Sequence, residues 1–305
     1  MSSVDHLDRA AAGRLMRLAT YAAVGMALTL ISVKFVAWLM TDSVSLLSTL
    51  IDSMLDAAAS MVNLLAVRHA LQPADEEHRF GHGKAESLAG LAQSAFISGS
   101  AVFLLLQAGE RLYNPSPITN SMVGYAVMAF SIVATGALVV FQKYVVKRTG
   151  STAIAADSMH YTMDVLVNAS VIVSLFLVAE MGWQIADPLL AIAISFYILH
   201  GAYAVGIAAY HVLMDREVSA EDRQRITELA LAHPKVISAH DLRTRQSGPD
   251  LFIQVHLEMP CTLTFIEAHD VAEEVMHAIA EVFPRAEVLI HQDPSGIDEK
   301  RAFED

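Results

Sequence analysis

The residues best suited to chemistry in this sequence are two pairs at four-residue spacing inside long apolar segments: Asp52 with Asp56, and His160 with Asp164. Residues four apart share one face of a helix. A charged side chain at the centre of a bilayer costs at least about 2.5–3.5 kcal/mol, so such residues usually belong to an ion pathway. Two facing pairs would offer three carboxylates and one imidazole, which suit a divalent metal such as Zn²⁺. The pattern predicts a tetrahedral metal site within the membrane.

Two other interpretations of these four residues are less favoured. As purely structural residues, they would leave several buried charged groups without partners. As a catalytic zinc site, they would need an open coordination position, and four protein ligands leave none. The sequence also contains no H-E-x-x-H motif. Asp157, in a stretch that repeats the Asp-Ser-Met sequence found at Asp52, is predicted to lie at the entry of a helix rather than to act as a fifth ligand.

A second group of potential ligands, Asp75, His78 and His82, lies in a polar stretch between two apolar segments. Its D-x2-H-x3-H spacing is compatible with a three-ligand metal site, and equally with a solvated polar loop. A third group lies near the C-terminus. His291 and Asp293 are two residues apart and would share one face of a strand. This third group predicts a binuclear metal site, against the alternative of ordinary surface histidines: His240, His256, His269, His291 and Asp293.

The overall composition indicates the kind of protein in which these ligands lie. The chain of 305 residues is 54% hydrophobic and only 17% charged, which indicates a membrane protein. Acidic residues are concentrated from Leu213 onward, where the sequence has 19 acidic and nine basic residues. This acidic balance argues against nucleic-acid binding. The single Cys261 excludes an intramolecular disulfide framework and a thiolate cluster for zinc.

Six segments are long enough to cross a bilayer: 15–40, 43–70, 86–112, 120–146, 152–180 and 188–212. Basic residues gather in alternate loops, which predicts that both termini are cytoplasmic. Lys34 is expected to extend from the first helix towards the interface, and Asp187 is expected to cap the sixth helix before Pro188. Histidines near helix ends are interpreted as interfacial: His69, His200 and His211.

After Asp215 the hydrophobic pattern predicts a mixture of helices and strands. Residues 219–233 and 264–283 predict helices, and 236–245, 251–259 and 287–291 predict strands. The predicted fold is an α-helical membrane protein with six transmembrane helices and a C-terminal cytoplasmic α+β domain of αββαβ order, with both helices on one sheet face. The predicted divisions are a cytoplasmic arm at 1–13, a transmembrane domain at 14–212, a metal-binding domain at 213–296 and a tail at 297–305, with disorder expected from Pro294 onward.

Several stretches resemble the cation diffusion facilitator family, and within it the bacterial zinc and ferrous-iron efflux transporters. The likeness spans roughly residues 14–296. The matching stretches are Leu50-Ile-Asp-Ser-Met-Leu-Asp56, Leu71-Gln-Pro-Ala-Asp75, Phe80-Gly-His-Gly-Lys-Ala-Glu-Ser87, Ala156-Asp-Ser-Met-His-Tyr-Thr-Met-Asp164, Ala239-His-Asp-Leu-Arg-Thr-Arg-Gln-Ser-Gly-Pro249, His256-Leu-Glu-Met259 and His291-Gln-Asp-Pro294.

This resemblance implies a homodimer in the bacterial inner membrane, a metallochaperone-like cytoplasmic domain and proton-coupled export of metal, not an enzyme. It assigns the three ligand groups above to a transport site, a loop site and a cytoplasmic binuclear site that stabilises the dimer. It adds Gln292 as a further cytoplasmic ligand, and a salt bridge between Lys84 and Asp215 near the dimer axis. Zn²⁺ is the expected metal, with Cd²⁺ and Fe²⁺ left open as cargo.

Metal ions bind only neutral imidazole and ionised carboxylate, so metal and protons compete for the same atoms. His160 is the expected proton-exchanging residue, because an unperturbed imidazole has a pKa of about 6.5. Three alternatives stay open at this point. They are a membrane-anchored metal sensor or storage protein, an intramembrane metalloenzyme, and a channel without proton dependence.

Overall fold

The computed structural model describes residues 9–41, 44–113, 122–181, 183 and 185–297. Within those ranges the N-terminal two thirds forms six long helices. These are α1 (Arg9–Thr41), α2 (Val44–Ala70), α3 (Lys84–Tyr113), α4 (Met122–Thr149), α5 (Thr152–Met181) and α6 (Ala186–Leu213). Five of them are long and apolar enough to cross a membrane. Helix α5 is not among these five; it spans 30 residues and carries the second predicted pair, His160 and Asp164.

The six helices form one bundle in which α1 packs against α2 and α4, α4 against α5, and α3 against α6. Small residues allow the closest of these contacts. A Cβ atom added to Gly206 of α6 would lie 2.8 Å from Ser94 Oγ of α3. Such small-residue contacts are typical of helix packing in lipid, where van der Waals contact replaces the hydrophobic effect. This packing brings α2 and α5 side by side in the bundle.

The starts of α1 and α6 differ from the sequence predictions. Helix α1 begins at Arg9, ahead of residue 15, where the first spanning segment is predicted to begin. Helix α6 begins at Ala186 with Ile185 at its N-cap, so Asp187 does not cap it. The Asp187 carboxylate instead accepts hydrogen bonds from Arg111 Nη1 at 2.7 Å and from Ser174 Oγ at 3.1 Å. These partners on α3 and α5 satisfy the carboxylate better than free backbone amides would.

The C-terminal part contains α7 (Ala220–Leu231), β1 (Ser238–Ser247), β2 (Asp250–Met259), α8 (Phe265–Val282) and β3 (Ala286–Pro294). The predicted αββαβ order is therefore confirmed. The sheet has the order β1-β2-β3, with β2 antiparallel to β1 and parallel to β3. Both helices pack on one face, where Ile226 of α7 and Val275 of α8 share a core with Ile253 of β2. Most of the tail predicted to be disordered, residues 298–305, lies outside the described residues.

The segment between α2 and α3 joins the two parts. The Phe80 ring contacts the Phe252 ring edge-on, with centroids 5.4 Å apart, and Arg245 lies over Phe80 at 4.3 Å. A Cβ atom on Gly83 would lie 2.1 Å from the Ser247 carbonyl oxygen, so only glycine allows this approach. The loop that carries the second ligand group is thereby packed against the turn between β1 and β2.

Candidate metal-transport site

The first predicted ligand group lies between α2 and α5. His160 Nε2 is 2.9 Å from Asp56 Oδ1. Asp164 joins them, and the three residues offer ligand atoms that all lie within 4.8 Å of one another. His160 is buried, and its Nδ1 atom has no hydrogen-bond partner among the described residues. Three donors of this type at this spacing can close around one divalent ion, because metal–ligand distances near 2 Å require only small side-chain movements.

Asp52, the fourth predicted ligand, is not part of this three-residue group. It lies one helical turn before Asp56 on α2 and is solvent- or lipid-exposed in this chain. It remains close enough to interact electrostatically with Asp56. We use the term transport site for all four residues, of which the structure assembles three: Asp52, Asp56, His160 and Asp164.

Lys34 of α1 is a neighbour of the transport site that the sequence prediction misplaced. Instead of extending to the interface, its Nζ donates hydrogen bonds to Ser53 Oγ at 2.6 Å and to the Thr49 carbonyl oxygen at 3.2 Å. Its ammonium group interacts electrostatically with Asp52, Asp56 and Asp164. The tight packing of α1 on α2 explains this position, since nearby carboxylates hold the cation inside the bundle more favourably than lipid would.

Asp157 was predicted to lie at a helix entry, and the structure shows a different role. It is 1% exposed. Its carboxylate accepts hydrogen bonds from Gln142 Nε2 at 2.6 Å, Gln93 Nε2 at 3.4 Å and Ser60 Oγ at 3.4 Å. These donors come from α4, α3 and α2, so Asp157 joins three helices to α5 one turn from His160. The signal for this role was present in the sequence as polar residues scattered over apolar segments, but their convergence requires the fold.

The second ligand group assembles as one cluster in the loop. Asp75 Oδ1 is 3.4 Å from His78 Nδ1, and Asp75 Oδ2 is 3.3 Å from His82 Nε2. The Asp75 carboxylate accepts backbone N–H hydrogen bonds from His78 at 2.6 Å and Glu77 at 3.0 Å. Those bonds, led by the one from His78, lower the pKa of Asp75 below its usual range. Asp75 is therefore ionised, as a metal ligand must be. We call these three residues the loop site.

The third group lies on the sheet face that turns away from α7 and α8. Strand pairing aligns His240 with His256 and His256 with His291. Asp293 lies beneath them, with Oδ2 3.1 Å from His240 Nε2 and 3.0 Å from His256 Nδ1. Its Oδ1 is buried without a hydrogen-bond partner among the described residues. An orphaned carboxylate oxygen beside three imidazoles fits Zn²⁺ chemistry. We call these four residues the cytoplasmic site.

Three further residues bear on the cytoplasmic site. Asp241, which sequence reasoning did not select, forms a ligand group with His240 and His256 at an irregularity in β1, where its φ is 47°. The His269 side chain is exposed on α8 and joins no potential metal-binding group among the described residues, so its assignment stays a prediction. Gln292 alternates with its neighbours along β3 and points to the helix-covered face, which disfavours its side chain as a ligand.

The predicted ion pair at the junction is present in the single chain. Lys84 Nζ at the start of α3 lies 2.9 Å from Asp215 Oδ1, just after α6. Lys84 also donates to the Leu213 carbonyl oxygen at 3.4 Å. Asp215 has a φ of 55°, a left-handed conformation that aspartate tolerates better than most residues. The pair therefore fastens the end of the membrane domain to the start of α3.

Comparisons with known proteins agree with this arrangement. Residues 20–214 match the family model of the cation efflux transmembrane domain, and residues 218–295 match that of the cation efflux protein cytoplasmic domain. The chain therefore belongs to the cation efflux, or cation diffusion facilitator, family.

Individual relatives share most of their length with this chain. It is 50% identical over 285 residues to the cation-efflux pump FieF of Klebsiella pneumoniae subsp. pneumoniae, covering 93% of this chain and 95% of that protein. It is 49% identical over 294 residues to the cation-efflux pump FieF of Salmonella choleraesuis, covering 96% of this chain and 98% of that protein. A solved structure of CzrB in its zinc form shares 30% identity and covers 28% of this chain and 99% of that one, with a TM-score of 0.26.

Family and relatives together show a multi-pass membrane transporter that exports metal cations, resembling FieF throughout, rather than an enzyme. The C-terminal domain belongs to a family of dimer-forming domains.

Proposed function

We propose that this protein is a homodimeric antiporter of the bacterial inner membrane. It exports divalent metal cations, chiefly Zn²⁺, from the cytoplasm through the transport site, in exchange for protons. The observation that carries the proposal is the convergence of Asp56, His160 and Asp164 from α2 and α5, with all ligand atoms within 4.8 Å. A carboxylate–imidazole set of this kind accepts Zn²⁺, Cd²⁺ and Fe²⁺, and affinity follows the general metal series as well as ligand type.

Proton coupling is supported by the contact between His160 Nε2 and Asp56 Oδ1. At 2.9 Å, these atoms form a hydrogen bond that requires a proton between them. Both atoms are potential metal ligands, and a metal ion binds only through their unprotonated lone pairs. A metal ion that binds both atoms takes the place of the proton between them. That proton leaves the site when the His160 ring is doubly protonated, and metal exit on the far side lets a proton return. The same two atoms therefore serve the metal in one direction and the proton in the other.

Asp52 supports an alternating-access cycle. The structure leaves it exposed while the other three ligands are assembled, and we expect the four-ligand site to be completed when α2 moves relative to its neighbours. Helix rearrangement around a fixed midplane site is the general basis of secondary transport. The basic loops favour cytoplasmic N- and C-termini, with metal entering from that side.

The other two ligand groups have accessory roles in this proposal. The cytoplasmic site holds Zn²⁺ that strengthens the dimer, and the acidic C-terminal domain raises the local supply of cations. The loop site binds metal without lying on the transport path. Metal bound at either place biases the transporter only if it binds the two conformations with different affinity.

The test is metal uptake into sealed proteoliposomes. Asp56→Ala should abolish Zn²⁺ flux, because it removes a ligand that contacts His160 directly. Asp75→Ala is the matched carboxylate control and should retain most of the flux, because it belongs to the loop site. A sensor or storage protein, the second candidate function, would bind Zn²⁺ in the cytoplasmic domain and show no uptake above empty liposomes. Full uptake by Asp56→Ala would reject the transport site.

A further inference from the structure

His69, at the end of α2, lies against the loop site. Its ring centroid is 4.5 Å from that of His82, the same separation as between His78 and His82. Two imidazoles thus lie against the His82 ring. The ligand atoms that already lie within 4.8 Å of one another are those of Asp75, His78 and His82, so the His69 ring must rotate to join them. His69 was expected to be an interfacial residue, and the folding of the loop back under α2 places it here instead.

The space between these rings is a cavity. His69, His78 and His82 line a cavity of about 390 Å³ together with Arg245 and Phe252 of the cytoplasmic domain. The His69 side chain is exposed and lines this cavity. Three imidazoles consequently line one cavity next to the ionised Asp75 carboxylate.

His82 is the buried member of this cluster. Its side chain is 6% exposed, and its Nδ1 atom has no hydrogen-bond partner among the described residues. A buried imidazole nitrogen without a partner is costly unless something fills the position. Its other nitrogen, Nε2, faces Asp75. A metal ion held together with Asp75 would bind His82 through Nε2, so the tautomer with its proton on Nδ1 is the one that binds metal.

The donor count points to a missing ligand. Asp75, His78 and His82 supply three ligands, whereas a closed zinc site is almost always four-coordinate and tetrahedral. We infer that His69 is the fourth protein ligand of the loop site, which makes it a closed His₃Asp site for Zn²⁺ or a similar divalent ion. This inference rests on the proposed metal binding at the loop site and does not depend on transport.

The position of His69 gives the loop site a mechanical role. His69 belongs to α2, the helix that carries Asp52 and Asp56. A metal ion held by His69 and by the loop residues would fasten the cytoplasmic end of α2 to the loop. The loop is itself packed on the cytoplasmic domain through Phe80 and Gly83. Metal at the loop site would thus restrain the helix whose movement completes the transport site.

The inference is tested by Co²⁺ binding to the full-length chain, because four-coordinate Co²⁺ absorbs visible light far more strongly than six-coordinate Co²⁺. The parent variant carries Asp56→Ala, His240→Ala and Asp293→Ala, which disable the other two sites. In this parent we expect one Co²⁺ per chain with the four-coordinate spectrum. His69→Phe keeps an aromatic ring against His82 but has no ligand atom. It should weaken Co²⁺ affinity at least about tenfold and remove the four-coordinate spectrum.

A second measurement does not need the parent variant with its three substitutions. In the otherwise native chain, Zn²⁺ titration against a chelator should show one tight site fewer in His69→Phe and in His82→Ala. His277→Phe is the matched control, since His277 is exposed and its Nδ1 lies 2.7 Å from the Glu273 carbonyl oxygen of its own helix. Native affinity and spectrum in His69→Phe would show that the ring only packs, and would overturn the inference. A parent that binds no Co²⁺ would overturn both the loop site and the role of His69, without touching the transport proposal.

Discussion

His160 Nε2 lies 2.9 Å from Asp56 Oδ1, and this contact joins α5 to α2 in the interior of the helix bundle. Both residues belong to four-residue pairs that place a second carboxylate on the same helix face. The contact is thus the point at which two separately positioned ligand pairs meet. Whatever moves α2 relative to α5 must break or remake it, which makes it the natural place for coupling between metal and proton.

Lys34 places its side-chain amino group beside the transport site. Because its ammonium group interacts with Asp52, Asp56 and Asp164, it competes electrostatically with an incoming dication. We predict that Lys34→Met tightens Zn²⁺ binding at the transport site about tenfold, a change of about 1.4 kcal/mol. Isothermal titration of detergent-solubilised protein measures this.

Lys34→Arg is the matched control, since it keeps the charge and should bind Zn²⁺ with near-native affinity. The expected cost of Lys34→Met appears in the metal-free state, where three carboxylates lose a neighbouring ammonium group and thermal stability falls. Unchanged Zn²⁺ affinity in Lys34→Met would show that the ammonium group only ties α1 to Ser53.

Asp157 should be essential for the structure of the bundle without binding metal. Asp157→Ala leaves the buried amide of Gln142 without its acceptor at 2.6 Å. A buried donor without a partner costs about 1–3 kcal/mol, so we predict destabilisation by at least that amount. Chemical denaturation in detergent measures the change.

The comparison variant is Glu281→Ala on the exposed face of α8, which should change the unfolding free energy by less than about 0.5 kcal/mol. The number of Zn²⁺ ions bound by folded Asp157→Ala should equal that of the native chain. Loss of one Zn²⁺ with native stability would make Asp157 a ligand instead.

The spacing of residues within one helix or one strand predicted part of the transport site and part of the cytoplasmic site. Four-residue spacing fixes a common helix face, so Asp164 could be placed with His160 on α5, whereas the contact of Asp56 with His160 depends on the packing of α2 against α5. Alternation along strands fixed the shared face of His291 and Asp293 in the same way. Asp52 satisfies the same spacing and still lies outside the assembled group, because the rotation of α2 is a property of packing rather than of sequence.

Metal removal should destabilise the cytoplasmic sheet domain through Asp293. A ligand that binds only the folded state at about 100 times its Kd adds about 2.7 kcal/mol of stability. We predict that chelation lowers the melting temperature of the native protein, and that Asp293→Asn loses most of the Zn²⁺-dependent increase.

Gln292→Ala is the adjacent control, because alternation along β3 directs that side chain to the other face. It should keep the full Zn²⁺-dependent increase in melting temperature. An equal loss in both variants would mean that the sheet edge as a whole responds to metal, not the ligand set around Asp293.

The ion pair between Lys84 and Asp215 should hold the junction locally rather than stabilise the whole chain. Both side chains are 40% exposed, and exposed pairs contribute only about 0–1 kcal/mol. We predict that Lys84→Met leaves the unfolding free energy within about 1 kcal/mol of the native value. Amide exchange in residues 213–218 should nevertheless become faster, as measured by mass spectrometry.

Asp215→Asn should reproduce this faster exchange, since asparagine removes the charge and tolerates the φ of 55° at this position. Arg216→Met changes the neighbouring cation and should leave the exchange rate unchanged. Equal protection of the segment in all three variants would assign the rigidity of the junction to Gly83 and its backbone contacts.

His69, Lys34 and Asp157 show what sequence reasoning could not reach. Each was recognised as a polar residue in or beside an apolar helix, and each was given a local explanation: interface, snorkelling and helix entry. Their actual partners are 13 to 97 positions away, at His82, Ser53 and Ser60. Such contacts depend on which helices are neighbours and on their rotation, and neither is encoded in the spacing within one segment.

Displacement of protons by Zn²⁺ at the transport site is measured as the proton flux that accompanies Zn²⁺ uptake into sealed proteoliposomes with a pH-sensitive dye inside. We predict that Zn²⁺ entering the lumen drives protons out, and that His160→Ala abolishes this exchange or leaves residual Zn²⁺ flux without its protons. Zn²⁺ uptake with an unchanged number of protons per metal ion in His160→Ala would contradict it.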